Sequence, residues 1–106
     1  MGDHQIDDVY LTSKRTAKRL FRQGILDSWQ GSCAYCGGEA STLDHVRPRA
    51  RGGQSVGRNL VACCADCNRQ KGSGDWRLWF RQQQFWCGRR EQRIDGWIGA
   101  THELAA

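Results

Sequence analysis

Four of the six cysteines stand in two Cys-x-x-Cys pairs, Cys33-Ala34-Tyr35-Cys36 and Cys64-Ala65-Asp66-Cys67, with 27 residues between the pairs. Two residues between thiols let both reach one ion at about 2.3 Å, and four thiolates complete a zinc tetrahedron with no open position. A closed site of this kind is structural, because its binding energy is folding energy. The chain needs such a staple: it is one small domain of 106 residues, only 39% of them hydrophobic, so an apolar core alone leaves it marginal. Cys63 competes with Cys64 as a ligand. Cys64 restores the spacing of the first pair, which turns Cys63 to the opposite side of its strand as a small buried hydrophobe. Redox use of a Cys-x-x-Cys pair belongs to a helix opening in a thioredoxin-like setting, and no such setting is legible here.

The segment Met1 to Tyr10 is acidic and polar, unlike a signal peptide, and no apolar run approaches the length of a membrane span. The expectation is an intracellular protein without membrane contact. Thiols stay reduced there, and paired cysteines hold metal rather than form disulfides. Unpaired Cys63 and Cys87 fit that compartment.

The formal charge of +5 understates how basic the middle of the chain is. All sixteen Lys and Arg fall between residues 12 and 93 with only six acids, a surplus of ten. Thirteen of them are Arg, whose forked guanidinium matches phosphate. Arg47, Arg49, Arg51 and Arg58 lie in one Gly-rich stretch, and Arg69 and Lys71 follow the second cysteine pair. This distribution points to nucleic acid, through backbone contacts that carry no sequence information. Lys71 reads equally well as a phosphate contact or as a solvated side chain.

Local patterns predict an N-terminal helix over about 13–27, after a loose leader of residues 1–11. Thr12 or Ser13 supplies its cap, Ala17, Leu20, Phe21, Ile25 and Leu26 its apolar stripe. Gly31 closes that segment. Cys36-Gly37-Gly38 is a tight turn, whose backbone N–H groups can point at the thiolates. Thr42–Val46 and Asn59–Cys63 read as short strands, with Pro48 ending the first. A helix begins near Ala65 and breaks at Gly72-Ser73-Gly74. Asp75 can cap a helix from Trp76 to about Gln84, and a last helix covers roughly Arg89–Ile98 before a tail. Trp76, Trp79 and Phe80 share a helix face, so with Phe85 and Trp86 they read as core rather than as platforms for bases. Arg77 and Arg81, one turn apart, are candidates to face DNA.

Between and beyond the cysteine pairs the chain reads Leu43-Asp44-His45-Val46-Arg47-Pro48, Gly52-Gly53, Asn59-Leu60 and Cys67-Asn68-Arg69-Gln70-Lys71-Gly72. This resembles the HNH endonuclease family over about residues 33–75. The resemblance implies an α+β fold: a small ββα-metal core over about residues 31–75 with a structural zinc, flanked by the N-terminal helix and by C-terminal helices over about 76–98, all one domain. It implies a metal-dependent endonuclease acting on double-stranded DNA. His45 matches the general base, Asp44 and Asn68 the ligands of a catalytic divalent cation, and Asn59 a residue that orders the loop beside the histidine.

The residue types suit that chemistry. Phosphodiester hydrolysis needs an activated water and charge relief on the phosphate and leaving oxygen. A histidine that titrates near neutrality can take the water proton. Two oxygen ligands of combined charge −1 suit a hard cation such as Mg²⁺ or Mn²⁺. Asp44 and His45 are adjacent, however, and successive side chains on a strand point opposite ways, so both serve one site only if the strand ends or twists there. Two other readings remain: a non-catalytic zinc-knuckle nucleic-acid-binding module, and a zinc-scaffolded protein-interaction domain. The first has no need of Asp44, His45 and Asn68 together, and the second leaves the Arg loop unexplained. One active site per chain leaves monomer and homodimer open.

Overall fold

In a computed structural model, the backbone of residues 2–105 and the side chains of residues 13–99 are described. The elements run α1 (Gly2–Ser28), β1 (Thr42–His45), 3-10 turns at Arg49–Arg51 and Gly57–Asn59, β2 (Leu60–Cys63), α2 (Ala65–Lys71), α3 (Trp76–Arg81) and α4 (Gly88–Ala105). This is an α+β fold with a two-stranded antiparallel sheet, in which Thr42 pairs with Cys63 and His45 with Leu60. The register matters for the site. It places His45 at the last pair of the ladder, where Val46 still bonds to the Asn59 carbonyl and the chain then turns away at Pro48.

α1 is longer than its sequence pattern suggests. The expected leader of residues 1–11 is helical from Gly2, so neither Thr12 nor Ser13 caps it. No Gly or Pro interrupts residues 3–23, and Asp3, Asp7 and Asp8 favour a helix N-terminal end through its dipole. The helix closes as expected around Gly31, whose φ of 67° is left-handed and whose N–H reaches the Leu26 carbonyl at 2.8 Å. Its apolar stripe is only partly used. Ile25 is buried and Leu26 packs beside it, but Leu20 and Phe21 are 63% and 48% exposed. They border an open groove with Ile25, Gly57 and Trp97. At the other end, α4 runs through the expected tail to Ala105. The side chains of His4 and His102 lie outside the described residues.

The core is built mainly from aromatic and branched side chains that meet between the sheet and the C-terminal helices: Trp29, Tyr35, Val46, Val61, Phe80 and Ile94 are all essentially inaccessible. Tyr35 stands edge-on to Trp79 and Phe80 at centroid distances of 5.1 and 5.5 Å. α3 starts at Asp75, whose Oδ1 accepts the Leu78 N–H at 3.0 Å, and it stops at Arg81, short of the expected Gln84. Trp97 of α4 donates its indole N–H to the Gly57 and Leu60 carbonyls, both at 2.9 Å, pinning α4 to the approach to β2.

Arg77 and Arg81 do not point away from the protein toward a ligand. Glu91 of α4 accepts hydrogen bonds from Arg77, from both Nε and Nη2 of Arg81, and from the Trp86 indole, while Asp95 takes the rest of the Arg77 fork. These pairs fasten α3 to α4. The partners lie on a helix whose register against α3 no local pattern encodes.

Candidate active site and cysteine cluster

The sulfurs of Cys33, Cys36, Cys64 and Cys67 all lie within 4.8 Å of one another. A tetrahedral zinc with ligands at about 2.3 Å has sulfur–sulfur edges of about 3.8 Å. Cys36 Sγ and Cys64 Sγ are 3.8 Å apart, so the cluster fits a zinc ion. Backbone geometry favours thiolates: the Gly38 N–H points to Cys36 Sγ and the Cys67 N–H to Cys64 Sγ, each at 3.4 Å. Gly37, at φ 79°, makes the first turn possible. The second pair does open a helix, since Cys64 caps α2, but its sulfurs face two further cysteines rather than a lone redox partner. Cys63 is fully buried, stands outside the four-sulfur group, and donates its thiol to the Cys64 carbonyl at 3.3 Å. The nearby Cys63 thiol, with help from backbone groups of Cys36, Cys64 and Tyr35, holds the Cys33 pKa down at about 4 against the effect of burial.

Asp44 is the most enclosed carboxylate here, 3% exposed. The Tyr35 hydroxyl donates to its Oδ2 at 2.7 Å, and Lys71 Nζ lies 3.3 Å from Oδ1 and 3.2 Å from Oδ2. Burial raises the Asp44 pKa, and Lys71 and Tyr35 work in the opposite direction. Burial, reinforced by the Asp44 charge, pushes the Tyr35 phenol well above its usual range, so it stays a donor. Lys71 also donates to the His45 carbonyl at 2.9 Å. Its ammonium thus points inward, to the strand carrying Asp44 and His45, and not out toward a phosphate backbone.

His45 points the other way along the pleat and is half-buried. Its Nε2 is 2.9 Å from the Ser55 hydroxyl in the loop between the strands. Burial lowers its pKa; Asp44 opposes this, while the positive charges of Arg49 and Lys71 add to it. The ring is therefore neutral at neutral pH, the state able to accept a proton. Asn59 is buried below the loop. Its Oδ1 accepts the Arg47 N–H at 2.9 Å, and its Nδ2 donates to the carbonyls of Arg47 at 3.0 Å and Gln54 at 2.9 Å. Asn68, on α2, donates from Nδ2 to Leu43 O at 3.0 Å and Thr42 Oγ1 at 3.3 Å. It reaches β1 just before Asp44 and does not bond the carboxylate itself.

The basic loop is a compact turn. Gly52 has a φ of 87°, and the Gly53 N–H closes on the Pro48 carbonyl at 2.9 Å. A Cβ on Gly53 would stand 1.7 Å from the Arg47 carbonyl oxygen. The two glycines therefore let the chain approach itself, where the sequence suggested close approach to a ligand backbone. Arg47, Arg49, Arg51 and Arg58 are all exposed. Arg47 and Arg51 line a cleft of about 330 Å³ with Pro48, Asp75 and Trp76. Arg69 is exposed as well and pairs with Asp66 at 2.8 Å. Sequence reasoning passed over Tyr35 and Ser55: an interior residue of a Cys-x-x-Cys pair and a loop serine carry no signal of their own.

Residues 33–74 match the family model described as HNH endonuclease. They form an HNH endonuclease domain. The match takes in both cysteine pairs, the sheet and α2, and leaves α1 and α4 outside. The chain is also similar to the CRISPR-associated endonuclease Cas9 of Corynebacterium diphtheriae, with 42% identity over 78 residues, covering 69% of this chain and 7% of that protein. The chain thus spans a small fraction of the relative's length. Because the alignment is longer than the HNH match, the likeness reaches into the flanking helices.

Proposed function

We propose that the chain is a metal-dependent endonuclease that hydrolyses phosphodiester bonds in double-stranded DNA. The observation that carries this reading is the place of His45: an imidazole at the end of β1, with Nε2 in hydrogen-bond reach of a hydroxyl oxygen and its following backbone clamped by Asn59. In this role His45 Nε2 takes the proton of the attacking water. The Ser55 hydroxyl, 2.9 Å from Nε2, supports this role by showing that a hydroxyl oxygen fits within hydrogen-bond reach of the imidazole. Asn59 keeps the imidazole aimed by fixing the two residues that follow it. Asp44 and Asn68 would hold a divalent cation, Mg²⁺ or Mn²⁺, which supplies charge relief on the phosphate and leaving oxygen. Arg47, Arg49, Arg51, Arg58 and Arg69 contact the phosphate backbone, while Lys71 serves from inside. Zinc in the four-cysteine cluster is structural, and the free thiols suit a reducing intracellular compartment. Among the described residues no helix is long and apolar enough to cross a membrane. One active site per chain nicks as a monomer and needs a homodimer to cut both strands together.

One observation favours the non-catalytic nucleic-acid module instead. Both oxygens of Asp44 already have protein partners, so the carboxylate is satisfied without an ion. Incubating supercoiled plasmid with the zinc-loaded protein and Mg²⁺ or Mn²⁺ separates the two. Relaxed or linear product that a chelator suppresses and His45→Ala abolishes is the nuclease result. Retarded but uncut DNA is the module.

A further inference from the structure

Tyr35, one of two tyrosines in the chain, sits between two cysteines of the cluster and has no role in the reading above. Its ring is packed on Trp79 and Phe80 and is entirely buried. A phenylalanine would fill that space equally well. A buried hydroxyl is unfavourable unless it is hydrogen-bonded, so packing alone gives no reason for the oxygen. What the oxygen does is donate to Asp44 Oδ2 at 2.7 Å.

The residue is also fixed from several sides. The Ala34 N–H bonds the Ala62 carbonyl of β2 at 2.8 Å, and Arg90 of α4 donates to the Tyr35 carbonyl at 2.8 Å. The two flanking cysteines belong to the cluster. A carboxylate can rotate about its last bond. Here one oxygen is tied to a rigid post that shares its backbone with the cysteine turn.

We propose that Tyr35 is a positioning residue: its hydroxyl fixes the rotation of the Asp44 carboxylate by holding Oδ2, leaving Oδ1 as the donor to the divalent cation, and so joins the zinc turn to the catalytic centre. This rests on the reading of Asp44 as a ligand of that cation. Lys71 Nζ straddles the carboxylate, 3.3 Å from Oδ1 and 3.2 Å from Oδ2, and a cation on Oδ1 would take its place there while its bond to the His45 carbonyl holds it nearby. The consequence is that the four-cysteine cluster has two tasks, holding the fold and setting the aim of one oxygen atom.

The test compares wild type, Tyr35→Phe and Asp44→Ala, each zinc-loaded and folded, by Mn²⁺ binding read from the electron paramagnetic resonance of the free ion. Outer partners of ligating carboxylates typically contribute about 10- to 100-fold in metal affinity. Tyr35→Phe is expected to keep its zinc and weaken Mn²⁺ binding about tenfold. Its plasmid cleavage should need correspondingly more Mn²⁺ and recover most of its rate at saturation. A merely structural tyrosine would lower the melting temperature and leave the Mn²⁺ affinity alone. If Tyr35→Phe binds Mn²⁺ like wild type while Asp44→Ala does not, the positioning role is wrong and the ligand assignment stands. If Asp44→Ala also binds like wild type, the ligand assignment itself fails and takes the proposal with it. Should Tyr35→Phe not hold zinc, the wild type answers by NMR with tyrosine labelled at Cζ: the Tyr35 resonance must move as Mg²⁺ is added, in wild type and not in Asp44→Ala. A Tyr35 signal indifferent to Mg²⁺ overturns the idea.

Discussion

The side-chain amide of Asn59 is hydrogen-bonded to both backbone polar groups of Arg47, accepting its N–H at 2.9 Å and donating to its carbonyl at 3.0 Å. This is the bond pattern of a strand partner, delivered by a side chain one residue before β2 begins. It extends the β-ladder beyond its last pair at His45, up to the residue before Pro48. Asn59→Ala should therefore loosen the chain just after His45. It leaves the part-buried Arg47 N–H and the Arg47 and Gln54 carbonyls without that partner, which costs about 1–3 kcal/mol. Thermal unfolding should show that loss with zinc retained, and plasmid cleavage should fall further than the stability change explains.

His45 sets the pH dependence. Burial depresses its pKa below the ordinary 6.5, so the ring loses its proton at lower pH than a free imidazole does. Cleavage should rise with pH and reach half its plateau below 6.5, then stay flat through neutrality. His45→Ala should cut the rate by about 10²- to 10⁴-fold with zinc content and DNA affinity unchanged. A pH–rate series at fixed Mg²⁺ checks both. A midpoint well above 6.5 would assign the base elsewhere.

Zinc removal tests the cluster. Cys36→Ser and Cys67→Ser should each lose bound zinc and the cooperative unfolding transition, because metal binding at a closed thiolate site is folding energy. Cys87→Ser, outside the cluster, should do neither. Cys63→Ser should keep zinc but bind it less tightly, since the Cys63 thiol supports Cys33. Metal analysis by mass spectrometry alongside calorimetry separates the four cases.

Glu91 should make the fold acid-sensitive in a defined window. Its pKa is held at about 2, against an ordinary 4.5, chiefly by Arg81 and then by the Trp86 indole. A carboxylate whose folded pKa is depressed contributes stability that is complete above its unfolded value and is lost as pH falls through the folded one. Melting temperature should thus decline between about pH 4.5 and 2 as this group protonates. Glu91→Gln should start lower and lose that part of the decline. Parallel melting curves of the two proteins measure it.

The cysteine spacing, the two short strands, α2 and the Asp75 cap were all legible in the sequence, because each depends on residues close together in the chain. The HNH likeness rested on such local words, and the family match covers the same stretch. What escaped notice depends on neighbours brought together from afar. Lys71 follows Asp44 by 27 positions and points inward because α2 lies across β1. Arg77 and Arg81, one turn apart and so candidates to face DNA, bond instead to acids on α4. Leu20 and Phe21 fit a helical stripe but had no facing element to cover them, since periodicity reports amphipathicity and not the presence of a partner. Tyr35 was visible only as one of two interchangeable letters inside a metal knuckle.

The contact between Gly53 and Arg47 limits how this molecule can change. Anything larger than hydrogen at position 53 collides with main-chain atoms that cannot swing aside, so the turn has a fixed width. Arg49 and Arg51 can be exchanged without disturbing it, whereas Arg47 braces it by donating from Nε to the Arg51 carbonyl at 3.1 Å. Efforts to tune how tightly the chain grips a phosphate backbone should therefore succeed by rewriting the side chains at 49, 51 and 58, and fail by lengthening or reshaping the turn beside them.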